Sequence, residues 1–187
     1  MDTVGVLPAV RERIARDAFA SRGASLLAAI LAWAFLLTAG GAPAVNAAPA
    51  LPGAHDLAAD GASARSRKRP IVLFFNRFDC PYCERALREY LVPMQRDPAF
   101  AGRAIFRQVE IDQPLQLVDF GGRATTHGAY ATRFKVRLTP TIWFVDGDGN
   151  ALTEPIVGLR TVDFYGWYLE QAIAEAQAKL DARAGAP

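Results

Sequence analysis

Two patterns of apolar and polar positions divide this chain. A charge-free apolar run from Ala24 to Ala39 follows Arg11, Arg13, Arg16 and Arg22, and a regular alternation of elements begins only at Pro70. In the second part Ile71-Val72-Leu73-Phe74-Phe75 is continuously apolar, as a strand buried on both faces requires. Ala86, Leu87, Tyr90, Leu91 and Met94 then recur at helical spacing, which predicts a helix from 81 to about 92 that Pro93 bends or ends. Ala104 to Ile111 reads as a second strand, Ala129 to Phe134 as a short helix behind the capping candidates Thr125 and Thr126, and Thr141 to Val145 as a third strand. Asp146-Gly147-Asp148-Gly149-Asn150 predicts a hairpin turn whose return strand, Ala151 to Val157, is confined to the sheet edge by Pro155. A last helix, Val162 to Leu180, is expected to bury Phe164, Tyr168, Leu169, Ala172, Ile173 and Ala176. Three strands joined by helical crossovers should run parallel and the last two should pair as a hairpin, which makes an α/β domain with a mixed sheet covered by helices.

The front of the chain follows a different logic. Arginines, a sixteen-residue uncharged run, the breaker pair Gly40-Gly41 and the small residues Val45-Asn46-Ala47 stand in the order of a secretory signal. Cleavage is expected near Ala47 or Ala48, the alternative being an uncleaved membrane anchor through residues 24–39; the run is a little short for a span of about 20 residues. Either way the arginines, with no Lys or Arg between Gly40 and Ala64, place the amino terminus inside and the remainder outside. Residues 1–47 are thus read as signal or anchor, 48–69 as a flexible linker rich in Ala, Pro, Gly and Ser, and 70–182 as the folded domain.

Composition narrows the function. Of 187 residues 51% are hydrophobic and 21% charged, which fits one globular domain, and the net charge of +2 gives no global field toward nucleic acid. The cluster Arg65 to Arg69 lacks interleaved aromatics and reads as solvated charge.

The two cysteines carry the chemistry. Cys80-Pro81-Tyr82-Cys83 falls between the first strand and the first helix, where unpaired backbone donors and the helix dipole favour a thiolate at Cys80. Pro81 suits the first helical turn. Cys83 lies nearly one turn on, so Cys80 is expected to attack and Cys83 to resolve. Asp79 opposes a thiolate, and Arg77, Arg85 and Arg88 can support one. Three other uses of the pair compete with this one. A structural bridge across so short a loop contributes little stability. Zinc needs about four ligands, and His55 and His127 are the only histidines. Haem attachment needs His after the second cysteine, where Glu84 stands. A calcium loop over Asp146, Asp148 and Asn150 fails because Ala151 and Val157 replace the required Gly and Glu. His127 is expected to be a loop or helix-entry residue, Trp143 and Phe144 sheet packing, and residues 112–126 a partner surface or a mobile connection.

Cys80-Pro81-Tyr82-Cys83 after a buried strand, together with Leu138-Thr139-Pro140-Thr141 opening the third strand, resembles the thioredoxin-like superfamily over about Pro70 to Leu180. It is most similar to exported bacterial members, including those associated with sulfur oxidation. The resemblance implies a thioredoxin fold with a sheet of about four strands, and a cis peptide before Pro140 beside the cysteines. It also implies that the backbone of Thr139 pairs with an extended substrate segment, with Tyr82 on the rim as a partner contact. Where the family has a buried acid six residues before the first cysteine, this chain has Phe74, and Glu84 is the candidate replacement as proton relay. The expected protein is an exported, periplasmic thiol-disulfide oxidoreductase, more often a reductant. Its redox group is the Cys80–Cys83 disulfide with no separate cofactor and no metal, its partners are protein thiols or disulfides, and a membrane electron donor recharges it. Rival readings are a non-catalytic binding module and a thiol-based metal-transfer protein.

Overall fold

A computed structural model describes residues 50–184. The expected signal or anchor, residues 1–47, lies outside the described residues.

The segment expected to be a flexible linker is instead part of the fold. Leu51 to Asp56 runs beside two strands, β2 (Ile105–Glu110) through a bridge from Gly53 to Gln108 and β3 (Gln116–Val118) through a bridge from Asp56 to Val118. Ala54 N–H donates to the Gln108 carbonyl at 2.9 Å, and Gln108 N–H to that of Pro52 at 2.9 Å. α1 (Leu57–Arg67) follows, capped by the Asp56 carboxylate accepting from Ala59 N–H at 2.9 Å. Leu51, Ala54, Leu57 and Ala64 are all buried. Much of this contact is made by small residues, whose burial leaves no strong hydrophobic period to detect. Gly61 shows why: a Cβ there would lie 2.2 Å from the Gly147 carbonyl oxygen, so helix and turn meet backbone to backbone. An ion pair between Asp60 and Arg107, with contacts of 2.7 and 2.5 Å, ties α1 to β2.

β1 (Ile71–Asn76) is buried at every position. A helical stretch follows as α2 (Pro81–Ala86), a π-helical turn Leu87–Leu91 and α3 (Val92–Arg96). Pro93 does not end it at 92. Proline lacks the N–H that an α-turn requires, and the wide turn placed just before it lets the chain continue. α4 (Pro98–Ala101) leads to β2 (Ile105–Glu110). Residues 112–126 form an ordered hairpin, β3 (Gln116–Val118) with β4 (Ala124–Thr126). Thr126 then caps α5 (His127–Arg133) by accepting from Ala129 N–H at 3.3 Å.

β5 (Thr141–Val145) and β6 (Ile156–Val157) complete a sheet of order β2-β1-β5-β6. β1 and β2 are parallel, but β1 and β5 are antiparallel, contrary to the expected run of parallel strands. The connection explains this. The connection, residues 111–140, returns to the sheet where it left: α5, about 10 Å long, does not run back along the ~20 Å of a six-residue strand, and Thr141 enters beside Phe75 next to where Glu110 pairs with Asn76. The return after the hairpin shrinks to a bridge at Ala151 and the two residues of β6, with Pro155 just before them. A 3-10 turn (Val162–Phe164) precedes α6 (Tyr165–Ala184) and changes its phase. The buried stripe is Tyr165, Leu169, Ile173 and Ala176, whereas Phe164 and Tyr168, expected inside, are exposed.

The two sheet faces carry separate cores. Val72, Phe74, Ile142 and Phe144 pack against Cys83, Ala86, Leu91 and α6, while Ile71, Leu73, Phe75 and Val145 pack against α1, Tyr130 and Ala131. Trp143 and Phe144 are sheet packing: Phe144 is fully buried, and Trp143 meets Phe134 edge-on at 5.5 Å.

Candidate active site

The end of β1 and the start of α2 set the cysteines. Cys80 is the helix cap, in extended conformation, and its sulfur accepts from Cys83 N–H at 3.2 Å. Its carbonyl accepts from the N–H groups of Cys83 at 2.9 Å and Glu84 at 3.0 Å. Cys80 and Cys83 are joined in a disulfide with Cα atoms 5.2 Å apart. The two sulfurs are not equivalent. Cys80 is half-buried at the surface, and Cys83 is 2% exposed inside the core cluster of Phe74, Ala86 and Leu87.

From the other side comes the loop into β5. The Thr139–Pro140 peptide is cis, and the Thr139 hydroxyl lies 3.7 Å from the Cys80 sulfur. That loop is pinned twice: Thr141 Oγ1 donates to the Leu138 carbonyl at 2.7 Å, and Gly158 N–H to the Pro140 carbonyl at 2.8 Å. Phe78, Tyr82 and Leu138 stand out from the protein, 74%, 65% and 63% exposed. Since Phe78 and Tyr82 are within two residues of Cys80 and Leu138 adjoins Thr139, they set an apolar rim beside the half-buried Cys80. Tyr82 was legible from its place in the motif; Phe78 and Leu138 had no signal before the two loops were brought together.

Asp112 is a further residue that sequence reasoning missed. Its carboxylate accepts from Phe78 N–H at 3.0 and 3.1 Å, holding the turn in which Asp79 takes a positive φ of 52° just before Cys80. The contact joins residues 34 positions apart, so no local pattern announces it.

The nearby charges are committed elsewhere. Arg85 donates to Glu89 at 2.9 Å, and Arg88 lies 3.6 Å from the same carboxylate. The hydrogen bond with Glu89 raises the Arg85 pKa, and that with Arg85 lowers that of Glu89. Glu84 is exposed and makes no hydrogen bond or ion pair with its side chain among the described residues. Phe74, in place of a buried acid, is fully buried.

His127 is a helix-entry residue, the first of α5. It is wholly buried, with Nδ1 accepting from Glu110 N–H at 2.9 Å and Nε2 3.0 Å from the Ala54 carbonyl. The first contact needs a bare Nδ1, so Nε2 carries the hydrogen and donates. Burial lowers the His127 pKa, against the Ala54 carbonyl and Glu110, which raise it. Among the described residues no group of three or more His, Cys, Asp or Glu side chains is placed to hold a metal ion.

Residues 57–173, more than half of the chain, match the family model of the thioredoxin-like domain. Solved structures similar to the chain include a thioredoxin from Thermus thermophilus (20% identity, 68% of this chain and 91% of that one covered, TM-score 0.46). Others are the periplasmic thioredoxin SoxS from Paracoccus pantotrophus (21%, 58% and 99%, 0.40) and a poplar thioredoxin h mutant (14%, 73% and 87%, 0.45). No curated protein sequence matches the chain. The matched span takes in β1, the bonded cysteine pair at the head of α2 and the cis Thr139–Pro140 turn, and the chain belongs to the thioredoxin-like domain family.

Proposed function

We propose that this thiol-disulfide oxidoreductase acts outside the cytoplasm, in a periplasm, mainly as a reductant of protein disulfides. The observation that carries the chemistry is the unequal placement of the two sulfurs. Cys80 is reachable and receives a backbone N–H, which favours its anionic form, whereas Cys83 is closed inside. In the reduced protein the Cys80 thiolate attacks one sulfur of a substrate disulfide; that S–S bond breaks, and the departing substrate sulfur leaves as a thiolate that takes a proton. Cys83 then gives up its proton and attacks Cys80, which releases the second substrate thiol and closes the Cys80–Cys83 bond. Two electrons pass to the substrate, and the same steps reversed oxidise a dithiol. The cysteine pair is itself the redox group, so no separate cofactor is needed.

The apolar rim of Phe78, Tyr82 and Leu138 suits a protein segment rather than a small thiol, and the Thr139 backbone beside Cys80 suits an extended one. Glu84 serves as the proton relay only if water carries the proton from the helix surface to Cys83. Export rests on the arginine-flanked run and small residues of 1–47, and a reductive role calls for a membrane electron donor to recharge the pair.

Cys80→Ala should abolish insulin disulfide reduction, and Cys83→Ala should accumulate a mixed disulfide at Cys80 that mass spectrometry of non-reduced samples detects. Both variants retaining full activity would refute the assignment.

A further inference from the structure

β1 stays regular to its last residue. Asn76 stands in register with Glu110, and its carbonyl accepts from Ile111 N–H at 2.9 Å. Strand alternation therefore puts the Asn76 side chain on the sheet face of Val72 and Phe74. That face is the one covered by the cysteine helix, in the core that holds Cys83, Ala86 and Leu87 with Cys80 at its margin. Asn76 is 6% exposed, and its Oδ1 has no hydrogen-bond partner. Acceptors buried in this way are rare in folded proteins because the lost hydration goes uncompensated.

Both sulfurs are bonded to each other, so neither has a hydrogen to give. Reduction breaks the S–S bond with two electrons; Cys80 is left as the thiolate, and the interior sulfur of Cys83 takes one proton and becomes an S–H donor among apolar neighbours. We infer that Asn76 is a positioning residue for the redox pair: in the dithiol state its Oδ1 accepts the Cys83 S–H, so the buried oxygen is satisfied only after reduction. Asn76 thereby favours the dithiol over the disulfide. Phe74 leaves this face without a titratable group at the position six residues before Cys80, and an amide cannot carry a proton. Asn76 itself does not titrate, so it shifts the position of the redox equilibrium wherever Cys83 keeps its proton, and the shift fades as Cys83 ionises and the S–H donor is lost.

The inference rests on the exchange activity proposed above, and the test separates the two. The full chain and its Asn76→Leu variant are equilibrated in glutathione redox buffers over a range of pH. The disulfide of the variant should be about tenfold harder to reduce, about 30 mV for a two-electron couple, at pH values where Cys83 is protonated, and the difference should shrink at higher pH as the S–H is lost. The oxidised variant should melt no lower than the oxidised native protein, and the reduced variant lower than the reduced native one. A native protein that exchanges while the variant's equilibrium lies within twofold of it at every pH overturns the role of Asn76 alone. A native protein that does not exchange with glutathione overturns the activity, and the inference with it. If the leucine variant does not fold, the native protein decides. The side-chain carbonyl carbon resonance of Asn76 should move downfield on reduction as the oxygen gains a donor, and an unmoved resonance overturns the inference.

Discussion

His127→Leu tests whether residues 51–67 are part of the folding unit. The imidazole joins two pieces of backbone, accepting from Glu110 N–H at the end of β2 and donating to the Ala54 carbonyl ahead of α1. Leucine fills most of the same volume, so the loss is one of hydrogen bonding and not of packing. It leaves one donor and one acceptor unpaired, at about 1–3 kcal/mol each, for a total of about 2–6 kcal/mol. That is a large share of the ~5–15 kcal/mol that holds a typical domain. Urea unfolding of the oxidised full chain at pH 8 should show this difference as a lower midpoint with an unchanged slope. The pH dependence adds a second constraint. Burial lowers the His127 pKa in the folded state, and the charged groups around it, Glu110 and His55, do not reverse that direction. Above about 6.5 the ring is neutral folded or unfolded, and its stabilising contribution is complete. As the pH falls below 6.5 the unfolded chain takes up a proton that the folded chain refuses, and the contribution is lost. The gap between native protein and variant should therefore narrow from pH 8 to pH 5. A variant as stable as the native protein at pH 8, or a gap that widens on acidification, would refute the clamp.

Other outcomes follow from single contacts. Asp119 accepts from Arg123 N–H at 2.9 Å and is paired with the Arg133 guanidinium, and these bonds, Arg123's first, hold its carboxyl down at about 2. Its contribution is present above the unfolded value near 3.8 and is lost as pH falls through about 2, so Asp119→Asn should unfold earlier in urea at pH 7 and match the native protein near pH 2. Gly61→Ala should cost about 1–3 kcal/mol by thermal melting, because the added methyl meets the Gly147 carbonyl, and a neutral result would mean the turn moves freely. Changing Tyr82 and Leu138 together to Ser should raise KM for insulin about tenfold, ~1.4 kcal/mol, while reduction of glutathione disulfide changes less than about twofold. Equal losses on both substrates would place those side chains in the chemistry and not on a docking rim.

Local pattern encodes the buried strand at 71–75, the cysteine motif at a helix start, the Thr126 cap, the hairpin turn at 146–150 and the proline before the third strand. Each is a short-range signal, in which a few neighbouring residues dictate backbone geometry or chemistry. The tertiary structure decided what depends on partners far along the chain. Residues 51–67 looked like a linker because much of their contact is made by Ala and Gly, and only Gln108, Arg107 and Gly147 give them something to pack on. The direction of β5 followed from where its connection returns to the sheet, and the phase of α6 from the turn before it. At the site the cysteines were legible, and the Thr139–Pro140 turn beside them through the family resemblance, but Asp112 was not: it reaches the Cys80 turn from more than thirty residues away. An asparagine at the end of a strand gains meaning only once a helix bearing a sulfur is folded over it.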